Sequence, residues 1–169
     1  MGSVGVMDDV WREVDNDKAW VLFNERFEFA PNYYERATPA IELPTDSVVI
    51  DLSPIVEHSG ARFAAGIAAI SSSALRAFVW LADDDELIAL DWQHHAYRYK
   101  PGEHALSTRP MVVPVFPDGD YVAHMKPDLR WGTVGHPWQR TLTIWGDDLI
   151  ATLGTELLTW LPRHPQSRS

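Results

Sequence analysis

Three stretches of the chain space their apolar residues as a helix does. From Asp17, read as an N-cap, Trp20, Phe23 and Phe27 fall on one face of a segment that Pro31 ends, since proline cannot continue a helix. Over 61–81, Phe63, Ile67, Ile70, Ala74, Phe78 and Leu81 recur every three or four residues and mark the main core helix. The third stretch starts at Asp147 and Asp148, acids suited to the positive end of a helix, and carries Leu149, Leu153, Leu157 and Trp160 to a stop at Pro162.

Between these lie short apolar, β-branched or aromatic runs that read as strands: 48–52, 87–92, 97–100, 111–116, 121–126 and 141–145. Pro117-Asp118-Gly119 would join the fourth and fifth as a hairpin, proline presetting φ and glycine tolerating a positive one. Short connections favour antiparallel pairing, so the predicted class is α+β: a mostly antiparallel sheet with helices packed on one face and a polar-aromatic other face. In 141–145 the two-residue period sends Leu142 and Ile144 toward the helices and leaves Thr141, Thr143 and Trp145 opposite; Tyr97 and Tyr99 likewise share a side. No repeat or linker divides the 169 residues, so one domain is expected, with about nine N-terminal and about seven C-terminal residues disordered.

Composition narrows the chemistry more than the fold. Hydrophobic residues at 46% and charged ones at 22% are ordinary for a folded globule. No apolar run approaches the roughly 18 residues of a bilayer span and the N-terminus lacks a signal-like pattern, so no membrane partner and a cytoplasmic location are expected. With no cysteine, His, Asp and Glu are the only strong ligands and acid/base groups. A net charge of −10 with only 14 Lys and Arg argues against nucleic acid. The acidity serves either solubility or a basic protein partner such as a nuclease toxin; the run Asp83, Asp84, Asp85 and Glu86 reads as a solvated loop.

Tryptophans, histidines and acids concentrate between Asp91 and Trp145, in Asp91-Trp92-Gln93-His94 followed by Tyr97, in Pro117-x-Gly119-Asp120-Tyr121, and in Trp131-Gly132-Thr133-Val134-Gly135-His136-Pro137-Trp138. Through these motifs, Trp20, Phe27-x-Phe29-x-Pro31, Trp145-Gly146 and the acidic start of the last helix, most of the chain resembles the bacterial domains of unknown function numbered 2716. The resemblance implies no activity. His95 and Arg98 depart from its pattern.

His136, in a turn between Gly135 and Pro137, is a candidate general acid/base with Asp91 or Asp120 fixing its tautomer; the alternative is that it only bonds backbone to pin its loop. His94 and His95 are adjacent and face opposite ways, and His94 is the second catalytic candidate. A metal held by His94, His136 and Asp120 lacks any supporting spacing, so none is expected. Trp92, Gln93, Tyr97, Tyr121, Trp131, Trp138 and Trp145 are the candidate substrate-binding residues. Asp51 reads as a turn cap and Ser71, Ser72 and Ser73 as surface; a GxSxG elbow and phosphate loops are absent, so no cofactor is expected. The leading expectation is an enzyme of isomerase, cyclase or hydrolase type acting on a small molecule. An acidic inhibitor of a toxin and a noncatalytic small-molecule binding module are the rivals, and a homodimer is compatible with each.

Overall fold

A computed structural model describes residues 10–31 and 39–167. Its elements are β1 (Trp11–Val14), α1 (Asn16–Phe27), β2 (Ser47–Asp51), α2 (Ser53–Val56), α3 (Gly60–Ala82), β3 (Leu87–Asp91), β4 (Ala96–Tyr99), α4 (Pro101–Ala105), β5 (Val122–Met125), β6 (Gly132–His136) and β7 (Thr141–Trp145). They end in α5 (Asp147–Leu149), a π turn (Ile150–Gly154) and α6 (Thr155–Leu157). The strands form one seven-stranded sheet in the order β1-β4-β3-β5-β6-β7-β2, antiparallel throughout. The class is α+β, as the patterning predicts.

Strand alternation then assigns every face. Leu142 and Ile144, with Val48, Ile50, Leu87 and Ala89, meet Ile70, Ala74 and Phe78 of α3 and Leu149, Leu153 and Leu157 of the last helical segment. Trp145 lies on the opposite side, as the period of two demands. That side is roofed as well: Ala19, Phe23 and Phe27 of α1 pack on Ile88, Leu90, Met125, Val134 and Trp145. An apolar stripe on α1 has to be buried, and the sheet face opposite α3 takes it. The expected polar-aromatic face is therefore largely a second core.

Local chemistry sets the element ends. The α1 N-cap is Asp15, whose carboxylate accepts the Lys18 amide at 3.1 Å; Asp17, the expected cap, lies two residues on in the first turn, and Glu28 in a left-handed conformation closes the helix. By length and mean hydropathy (1.5 over its best 18-residue window) α3 matches a membrane span, which the reading of apolar runs overlooked because Ser71 to Ser73 interrupt the run. In this fold it is seated on the sheet, and Ser73, expected at the surface, is buried and donates to Glu156 Oε1 at 2.7 Å. Arg76 joins the same carboxylate. Asp51 caps a turn as expected, accepting the Ser53 amide at 2.9 Å.

Several expectations are corrected. Residues 111–116 are irregular: Pro110 and Pro114 have no amide hydrogen to give a ladder, and Val113, Val115 and Phe116 plug the α3 side as loop residues. Pro117-Asp118-Gly119 consequently turns the chain into β5 without closing a hairpin. β1 and β6 were not predicted. β6 carries Gly132 and Gly135, which weaken a strand signal but are required here: a Cβ on Gly132 would lie 2.5 Å from the His124 carbonyl and 2.6 Å from the Trp145 ring. The expectation of disordered termini falls partly on 1–9 and 168–169, outside the described residues. The described part of the C-terminal segment is ordered against β2: Ile50 bridges Arg163, the His164 amide donates to Val49 O at 2.7 Å, and the Val49 amide donates to Ser167 Oγ at 2.9 Å.

Candidate functional site

The registers Asp91↔Val122, Val122↔Gly135, His136↔Thr141 and Asp51↔Thr141 bring five strand ends together. The first two sequence motifs and the His136–Trp138 end of the third therefore meet at one end of the sheet, in the connections 92–95, 117–121 and 137–140.

In the first connection the His94 amide donates to Asp91 O at 3.0 Å, and Gln93 takes a φ of 70° to close the turn. This tight turn swings the His94 ring back over the end of β3. Its Nδ1 lies 3.1 Å from Asp91 Oδ1 and 3.3 Å from Asp120 Oδ2, so one nitrogen faces two carboxylates. The hydrogen bond and charge of Asp91 raise the His94 pKa above its ordinary value. Asp120 is also raised, first by partial burial and then by the charge of Asp91. His94 itself is exposed, while both carboxylates are half-buried.

Asp91, His94 and Asp120 are thus brought together as expected, and His136 is not. The His136 side chain is buried, 4% exposed, at the end of β6. Its Nδ1 accepts the Gln139 amide at 3.1 Å, which pins the 137–140 turn, and its ring packs 4.8 Å from that of Tyr121. That contact is of the kind the loop-pinning alternative expects. His95 faces away from His94, with Nδ1 2.8 Å from Glu13.

The candidate aromatic residues are divided among separate places. Trp92 meets the edge of Tyr121 at 5.5 Å, and Tyr121 also meets Phe29. Gln93 is exposed at its turn. Tyr97 lies edge-on to Trp11, and burial raises its hydroxyl pKa. Trp131 stacks on Phe78 on the α3 side, whereas Trp145 packs on Phe27 on the α1 side and donates from Nε1 to Leu129 O at 3.0 Å. Trp131 and Trp145 cannot flank a common ligand, because the sheet separates them.

Trp138 differs. It helps wall a cleft of about 240 Å³ with Phe63, Phe116, Pro117, Pro137 and Arg140, and Asp118 also lines it. Pro117 and Gly119, with φ at 86°, fold the 117–119 turn against this cleft. Arg140, in a left-handed conformation (φ 58°), gives its carbonyl to the Leu52 amide at 2.8 Å. Among the described residues no carboxylate pairs with its guanidinium. Phe63, Phe116 and Arg140 were missed as site residues: the phenylalanines fit the core pattern, and an arginine two residues past the last motif tryptophan was the one available signal. A larger cavity, about 320 Å³, lies at the other end of the sheet between Lys126, Arg130, Trp131 and Asp147, where Lys126 is already 3.0 Å from Asp85.

A polar group that sequence reasoning left unassigned is fully buried in the α3 side. His124 Nε2 donates to the Pro114 carbonyl at 3.2 Å, so its Nδ1 is the lone-pair nitrogen and accepts the Tyr99 hydroxyl at 2.8 Å. Burial lowers the His124 pKa to about 4 and raises Tyr99 well above its ordinary value.

The profile of the family described as "Protein of unknown function (DUF2716)" matches residues 11–150. The chain is also similar to the uncharacterized protein YxiI of Bacillus subtilis (strain 168), at 29% identity over 154 residues, covering 86% of this chain and 93% of that protein. No solved structure matches.

Proposed function

We propose that this chain, which belongs to the DUF2716 family, binds a small planar organic anion in the cleft between Trp138 and Arg140. The observation that carries the reading is one cation among aromatic walls: Arg140 has no acidic partner among the described residues and shares the cleft with Phe63, Phe116 and Trp138. Such walls favour a flat apolar body, and a guanidinium matches a carboxylate through paired hydrogen bonds. A small metabolite is the class of ligand that suits a cleft of this size.

Two other readings have less support. An acid/base enzyme built on His136 or His94 with Asp91 or Asp120 keeps only His94 beside the two carboxylates, exposed and without aromatic walls, while the His136 Nδ1 accepts the Gln139 amide. An acidic inhibitor reading leans on Asp83 to Glu86, yet Asp85 is bonded to Lys126 and Glu86 to Arg12 and Arg98, which neutralises half of the run. Binding without a named reaction is therefore the conclusion.

The test is ligand-observed NMR of the full chain with a panel of aromatic carboxylates, followed by Arg140→Gln and Trp138→Ala. A charge-assisted bond of about 1.5–3 kcal/mol predicts affinity weaker by roughly ten- to a hundredfold in Arg140→Gln. Unchanged binding in both variants, or no binding by the panel, refutes the proposal.

A further inference from the structure

We propose that Asp91, His94 and Asp120 form a binding site for a divalent first-row transition-metal ion. The inference rests on these three side chains and not on the ligand cleft. Their donor atoms lie within 4.8 Å of one another. The two separations that share His94 Nδ1, 3.1 and 3.3 Å, can be compared with what coordination demands. At metal–ligand distances of about 2.1 Å, neighbouring donors are about 3.0 Å apart in an octahedron and about 3.4 Å apart in a tetrahedron. Both separations from His94 Nδ1 are therefore already at coordination spacing.

The donor types point the same way. An imidazole nitrogen suits zinc, iron or nickel, and carboxylate oxygens extend the range to manganese, whereas an all-oxygen cage would suit calcium or magnesium. Nδ1 has one position to offer, and one proton there satisfies at most one of the two carboxylates at full strength. An ion at the centre engages all three donors at once and offsets the like charges of Asp91 and Asp120. The backbone supports the arrangement from both sides: the 91–94 turn fixes His94, and the Tyr121 amide donates to Asp120 Oδ1 at 3.0 Å, leaving Oδ2 for the site. With His94 exposed, the remaining coordination positions open to solvent, so exchangeable water or a ligand oxygen would complete the shell.

The test is calorimetric titration of the chelator-stripped full chain with Zn²⁺ and separately with Mn²⁺, with Co²⁺ absorption as the readout of coordination geometry. One ion per chain is expected, weakened at least about tenfold in each of Asp91→Asn, His94→Ala and Asp120→Asn, since loss even of an outer-sphere partner costs ten- to a hundredfold. His95→Ala should bind as the wild type does, because His95 turns away to Glu13. Circular dichroism of these surface variants checks that each is folded. Binding that persists unchanged in His94→Ala and Asp91→Asn would mean an ion held elsewhere on the acidic surface and would overturn the proposal, as would wild-type binding no tighter than millimolar.

Discussion

Acidification should destabilise this fold through His124. Its neutral ring satisfies both neighbours, accepting from Tyr99 and donating to Pro114, inside a cluster that also stacks it on Phe78. In the unfolded chain the ring titrates near 6.5, and in the folded chain near 4. The folded value is the lower one, so between these pH values the unfolded state binds the proton more readily. The stabilisation is fully present above about pH 6.5 and is lost as pH falls toward 4. At about 1.4 kcal/mol for each tenfold in proton affinity, the gap from 6.5 to about 4 is worth about 3 kcal/mol. His124→Gln keeps a donor and an acceptor but cannot titrate. Urea unfolding of both proteins from pH 7.5 to 4 should show the wild type losing about 3 kcal/mol more than the variant over that interval, whatever their difference at neutral pH. Parallel curves would show that the buried ring is not what couples this fold to protons.

Two further outcomes follow from close packing and capping. Gly132→Ala drives a methyl into the His124 carbonyl and the Trp145 ring and should cost about 1–3 kcal/mol; an unchanged melting temperature would mean that β6 and β7 shift apart freely. Asp15→Ala removes the cap on Lys18 and should cost about 1 kcal/mol, whereas Asp17→Ala should cost less, an order that melting curves of the two variants will check.

The sequence made the buried faces legible wherever a period ran without interruption. The 141–145 strand coincides with β7, its alternation places Leu142 and Trp145 on the correct sides, and α3 extends only one residue beyond each predicted end. What failed was decided by distant partners. Gly132 and Gly135 look like loop residues until the Trp145 ring and Pro117 are seen where their side chains would be. Residues 111–116 look like a strand until Pro114 is seen giving its carbonyl to a histidine ring. For the site, sequence offered His136, Asp91, His94 and Asp120, with His136 foremost, and could not choose among His94, His95 and His136. That choice depends on a turn with Gln93 at positive φ and on the direction in which β6 ends. Nor could it separate Trp138, in a cleft, from Trp131 and Trp145, in two cores, because an indole in any of these settings has the same pattern of neighbours.

The position of β2 has a consequence for how the chain is made. Its Val48, Val49 and Ile50 leave the ribosome well before its hydrogen-bonding partners on either side, β7 and the segment from Pro162 to Ser167. At usual elongation rates the delay is on the order of ten seconds. Throughout it this apolar strand has neither ladder, and it is the segment a nascent chain would have to keep from pairing with another copy of itself.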